Sequence, residues 1–117
     1  MDTKIEDYVV NSDSVEWRPL KENGIDTKGI YIKALRYDKN GRPPSFLLRF
    51  EEGANYPYHN HPAGEELFVL EGTCIIEGAV LKKGDYLYTP PSFKHSVKTE
   101  TGCVLYFIVP EEVEILE

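Results

Sequence analysis

Apolar residues along the chain fall in short runs, each closed by glycine, proline or a polar turn. The runs occupy residues 29–37, 45–50, 55–61, 65–71, 73–77, 79–81, 86–89, 95–99 and 103–109. The breaks lie at 38–41, 51–53, 62–64, Gly72, Gly78, 82–85, 90–92 and 100–102. Short strands at regular spacing with turn residues between them predict an all-β sandwich or barrel. No stretch keeps a helical period over three turns. Runs 45–50 and 103–109 are apolar at odd and even positions alike, so both of their faces are expected to be covered. A small jelly roll achieves this with one face on the barrel interior and the other under an extra strand or a partner subunit. Trp17 is a candidate for that cover. Residues 1–14 are polar and acidic and are expected to be loosely held. Residues 15–117 then form a single barrel domain. The tail, 111–117, alternates acidic and apolar residues and reads as a short edge strand with its charges in solvent.

The chain has 117 residues, enough for one core. Eight Tyr and eight Pro favour strands and turns over helices. Twenty acidic residues against 13 basic ones give a net charge of −7, a poor match for nucleic acid or an anionic membrane. The N-terminus has neither the basic nor the apolar region of a secretory signal, and no apolar run is long enough to span a bilayer. Cys74 and Cys103 fit no zinc knuckle and no CxxC motif. Two packed, reduced thiols and a cytoplasmic location are expected.

Three histidines carry the candidate chemistry. His59 and His61 are two apart on an expected strand, so both point to one face with their backbones about 6.6 Å apart. Imidazoles so placed can converge on one ion about 2.1 Å from each ring nitrogen. The turn at 62–64 brings the chain back, and Glu65 opens the next strand facing the same point. Glu66 faces the other way and is the alternative ligand. His95 opens a later strand after the turn at 90–92. Imidazoles and a carboxylate around an enclosed apolar space form a first-row transition-metal site.

These residues carry a resemblance. Residues 53–72 match the first motif of the cupin superfamily, G(X)5HXH(X)3-4E(X)6G, at Gly53, His59, His61, Glu65 and Gly72. Residues 84–99 resemble the second, G(X)5PXG(X)2H(X)3N, at Gly84, Pro90 and His95. They depart from it at Ser92 and Thr99, and Ser92 implies a turn that needs no positive φ. Blocks around Trp17, 38–42, 47–50, 62–66, 90–95 and 102–103 are similar to the cupin-like domain of ChrR anti-sigma factors. That group includes acetylacetone-cleaving and dihydroxyacetophenone dioxygenases. The resemblance implies a double-stranded β-helix with His59, His61, Glu65 and His95 as metal ligands. It also implies a divalent ion, Fe(II) foremost, with Zn, Mn or Ni as alternatives. The diketone dioxygenases use three His, whereas this chain adds Glu65. ChrR proteins carry a separate zinc domain with a His and Cys cluster. This sequence holds no such cluster, so an anti-sigma role is not expected.

Other residues bear on a catalytic role. Tyr56, Tyr58, Tyr86 and Tyr88 flank the two motifs and could donate a hydrogen bond near a metal. Strand parity places Tyr86 and Tyr88 on one face, so both or neither line the cavity. Arg49, if inward, could clamp a carboxylate or diketone. Two classes of function follow. One is a metal-dependent enzyme on a small organic substrate, an Fe(II) oxygenase or a Mn, Ni or Zn isomerase or lyase. The other is a non-catalytic metal or small-molecule sensor. An enzyme needs an acid or base beside the open metal positions, and none beyond the ligands is apparent in the sequence. A homodimer is expected from the two-faced apolar strands.

Overall fold

The computed structural model describes residues 4–116. Their ten strands, in chain order, are β1 (Arg18–Pro19), β2 (Ile30–Arg36), β3 (Ser45–Phe50), β4 (Asn55–Asn60) and β5 (Glu65–Ile76), followed by β6 (Ala79–Lys82), β7 (Tyr86–Thr89), β8 (Lys94–Lys98), β9 (Cys103–Ile108) and β10 (Glu114–Ile115). Two 3-10 turns, Ile5–Tyr8 and Ser12–Ser14, precede them, and the described residues contain no α-helix. Every strand pair is antiparallel, in the order β1-β2-β3-β9-β5-β8-β4-β10, with β6 and β7 also on β5. This is the all-β jelly roll that the resemblance implies.

Strand β5 joins the two layers. Its first half pairs with β7 and β9, and its second half with β6 and β8. The sequence pattern predicts a break at Gly72. The strand instead continues through it, with the register against β9 shifting between Val69 and Glu71. Gly72 has φ 73°, and a Cβ there would stand 2.1 Å from the Gly102 carbonyl oxygen. A glycine inside a strand marks such a bulge and close backbone approach. The bulge also switches parity: Leu67 and Val69 face the core before it, Cys74 and Ile76 after it. At the β5–β6 hairpin, Glu77 and Gly78 both take positive φ, 48° and 82°, the pattern of a type I′ turn.

The core lies between the layers and includes Ile30, Phe50, Leu67, Val69, Val97 and Leu105. Leu47 and Leu48 of β3 are both buried, so both faces of that strand are covered. The Trp17 ring stands over β2 and β3, with Lys33 Nζ 4.8 Å and Arg49 Cζ 5.4 Å from its centroid. Lys33 Nζ also donates to the Ser12 carbonyl at 2.7 Å, tying the N-terminal segment to the sheet. The tail pairs with β4 through Glu114 and Ile115 as an edge strand.

Candidate metal centre

Strands β4, β5 and β8 each deliver part of one cluster. His59 stands directly across from His95 in the β4–β8 ladder. His61 follows β4 and opens the turn that Gly64, at φ 80°, closes through its N–H to the His61 carbonyl at 3.0 Å. Glu65 is the first residue of β5. His59, His61, Glu65 and His95 are at most 2% exposed, and one ligand atom from each lies within 4.8 Å of all the others.

The ligand atoms face one another at close range. His59 Nε2 and His61 Nε2 are 2.8 Å apart, His61 Nε2 and Glu65 Oε2 are 2.6 Å apart, and His95 Nε2 lies 3.6 Å from Glu65 Oε1. His95 Nε2 and Glu65 Oε1 are buried without a hydrogen-bond partner. Buried polar atoms are rarely left so, and three nitrogens with one carboxylate suit a divalent transition metal. His59 Nδ1 donates to the Pro57 carbonyl at 2.7 Å. That bond fixes the tautomer and leaves the Nε2 lone pair facing the cluster. Burial holds the imidazoles of His59 and His95 down at about 4, so both are neutral near pH 7, the form a metal needs.

Glu66 points the other way, on the outer face, and accepts the Tyr86 hydroxyl at 2.7 Å. The carboxylate left open between two neighbours is therefore placed by parity, with Glu65 in the cluster. Ser92 departs from expectation. It sits at φ 71°, in the left-handed region, in a turn where Phe93 N–H donates to Pro90 O at 3.2 Å. This is the third position of a type II-like turn, which demands positive φ whatever residue occupies it. The Ser92 N–H faces the His61 carbonyl at 3.4 Å, so the turn packs against the ligand loop.

The three residues considered for a catalytic role lie elsewhere. Tyr86 and Tyr88 are 55% and 54% exposed on the outer face of β7, opposite Phe68 and Glu66, so neither lines the cavity. Arg49 lies on the outer face of β3, its Cζ 4.5 Å from the Tyr31 ring centroid, stacked between Tyr31 and Trp17. Alternation explains all three, because their strand neighbours Leu48, Phe50 and Thr89 take the interior. Cys74 and Cys103 are free and buried within the core.

A cavity of about 990 Å³ opens over His59, His61 and Glu65. Its walls include Ile32, Phe46, Leu48, Val97 and Phe107, with the Phe46 and Phe107 rings stacked at 5.4 Å. Tyr56 and Glu22 also line it, and the Tyr56 hydroxyl donates to the Glu22 carboxylate with 2.9 Å to each oxygen. The Tyr56 ring meets the His59 ring edge-on, 4.9 Å between centroids. Burial, reinforced by Glu22, raises the Tyr56 phenol, which stays a neutral donor. Strict alternation from His59 would put Tyr56 on the opposite face. A register shift in β4 between Tyr56 and His59 puts both inside. Tyr56 is among the tyrosines that flank the motifs in the sequence, whereas Glu22 is not legible there, because it meets Tyr56 across 34 positions through that irregularity.

An all-β barrel that gathers three imidazoles and a carboxylate beneath an apolar cavity is a cupin with a group able to hold a metal ion. The chain belongs to the ChrR cupin-like domain family, whose family model matches residues 5–112. It is 39% identical over 62 residues to the DNA damage-repair/toleration protein DRT102 of Arabidopsis thaliana. That match covers 48% of this chain and 20% of the plant protein, so the chain spans a fifth of its length. Among solved structures, it is similar to the polyketide cyclase RemF from Streptomyces resistomycificus, at 20% identity and TM-score 0.74. The similarity covers 93% of this chain and 84% of that one. An acetylacetone dioxygenase from Acinetobacter johnsonii is similar at 17% identity and TM-score 0.76, over 100% of this chain and 82% of that one. At these identities the likeness concerns the fold. No helix among the described residues is long and apolar enough to cross a membrane.

Proposed function

We propose that the protein is a metal-dependent enzyme, an Fe(II)-type oxygenase acting on a small organic molecule. The observation that carries this reading is the buried four-residue cluster at the floor of a cavity of about 990 Å³. Pockets of that size take drug-sized molecules. His59, His61, Glu65 and His95 would hold the ion. An ion held by these four side chains would supply Lewis-acid chemistry at the cavity floor. The apolar part of the wall, Ile32, Phe46, Leu48, Val97 and Phe107, lowers the local dielectric and strengthens electrostatic contacts at the floor. The Pro57 carbonyl keeps His59 in the ligating tautomer. The acetylacetone dioxygenase among the similar structures supports the oxygenase class. The polyketide cyclase, also similar, favours as second reading a non-redox reaction with Zn, Mn or Ni.

One experiment separates these. Metal content is measured on purified protein, and oxygen uptake is followed after Fe(II) loading with diketones, catechols and hydroxyketones. About one Fe per chain and substrate-dependent oxygen uptake are expected. A protein that holds another metal and consumes no oxygen moves to the second reading. A protein that takes up no metal overturns both.

A further inference from the structure

The cavity has a second polar point besides the metal cluster, and its charge selects what can enter. Tyr56 gives its one hydroxyl proton to Glu22, both oxygens of which are 2.9 Å away. A carboxylate has about four lone-pair sites, so Glu22 keeps acceptor capacity toward the cavity, and the phenol oxygen keeps its own. Neither residue has a donor left to offer. The charges around them are mostly of one sign: Glu22 and Glu65 line the cavity, with Asp38, Glu111 and Glu112. Among the described residues, neither of the two lining cations forms an ion pair with Glu22. Arg42 is committed to the Val109 and Pro110 carbonyls at 2.7 and 2.6 Å and faces Asp38 at 3.8 Å, while Lys21 is exposed. Arg49, the residue suited to clamp a carboxylate, is on the outer face.

We infer that the cavity takes an uncharged, flat, largely apolar molecule that chelates the metal at one end and donates a hydroxyl to Glu22 at the other. Tyr56 acts as a positioning residue that holds Glu22 in the wall. A distal carboxylate is rejected there, because it would meet Glu22 in a wall where five carboxylates face two cations. This rests on the metal-centre reading above and adds the substrate class to it.

The test is calorimetric binding to Zn(II)-loaded protein, with metal content measured first. Three catechols share the chelating end and differ at position 4: 4-(hydroxymethyl)catechol, 4-methylcatechol and protocatechuate. The hydroxymethyl compound should bind roughly tenfold tighter than the methyl compound, the worth of one hydrogen bond to a charged group. Protocatechuate should bind weakest. Glu22→Gln, which keeps size and removes charge, should bring protocatechuate level with the other two. Tyr56→Phe should shrink the hydroxymethyl preference while leaving metal content unchanged. Equal binding of the three by the wild type, tightest binding of protocatechuate, or an unaltered ranking in Glu22→Gln overturns the inference, as does failure of all three to bind loaded protein. The readout is binding and not turnover. A protein that ranks the probes as expected yet consumes no oxygen supports this inference and overturns the oxygenase reading. One that consumes oxygen without ranking them does the reverse.

Discussion

Glu65 and Glu66 are adjacent carboxylates with opposite surroundings, one 2% exposed among three imidazoles, the other on the outer face beneath the Tyr86 hydroxyl. Glu65→Gln keeps the volume and removes the anionic donor. It should lower metal affinity by about tenfold or more, since a ligand change costs at least what loss of an outer-shell partner does. Glu66→Gln should leave metal affinity unchanged. Dialysis against a graded chelator followed by elemental analysis reads both, and equal losses would remove Glu65 from the ligand set. Ser92 offers a second case. A side chain at φ 71° is strained by about 1–2 kcal/mol, part of which glycine relieves against its greater unfolded-state entropy. Ser92→Gly should therefore stabilise the protein by about 0.5–1 kcal/mol in urea unfolding. No gain would mean that the serine hydroxyl compensates for the strain. The ligand spacing was legible because two residues on a strand repeat a face and a short turn returns the chain. The sign of φ at Ser92 was not legible, because the turn type is set by closure against the His61 carbonyl and not by the residue in it.

At the scale of the element, the bulges matter most. Strand edges were readable, since Gly53, Gly64, Gly84 and Gly102 stand where the chain turns, and the strand cores between them are apolar. What alternation does not encode is where parity changes. In β4 the shift between Tyr56 and His59 brings a tyrosine to the metal cluster. In β5 the shift at Val69–Glu71 lets one strand of 12 residues serve both layers. Gly72 is the physical requirement for the second. Gly72→Ala would drive its Cβ into the Gly102 carbonyl and within 2.9 Å of Cys103 Cα, both backbone. The cost should be about 3 kcal/mol or more, from overpacking added to left-handed strain. Gly53→Ala shares the positive φ, 81°, but meets nothing within 4 Å, and should cost only about 1 kcal/mol. Unfolding midpoints of the two variants compared side by side check this. Equal costs would show that β5 can shift away from β9 at the bulge.

For the whole molecule, the layer built on β5, β7 and β9 has a second face that the described residues leave open. Phe68, Leu70, Tyr86 and Tyr88 are 36–55% exposed on adjoining strands, and Tyr106 and Ile108 of β9 lie half-buried beside them in the ladder. Contiguous apolar surface of this kind marks association sites in folded proteins. The net charge of −7 opposes self-association elsewhere on the surface, but on this face the acidic Glu66 is tied to Tyr86. We propose a homodimer through this face. It is the same parity that sends Glu65 and Leu67 inward, so the metal cluster and the contact surface are opposite sides of one strand. That separation gives the test. Phe68→Lys should convert a dimer at micromolar concentration to a monomer in sedimentation velocity, with metal content unchanged, because Phe68 points away from the cluster. A wild-type protein that sediments as a monomer at every concentration overturns the dimer. A Phe68→Lys protein that remains a dimer moves the contact to another face.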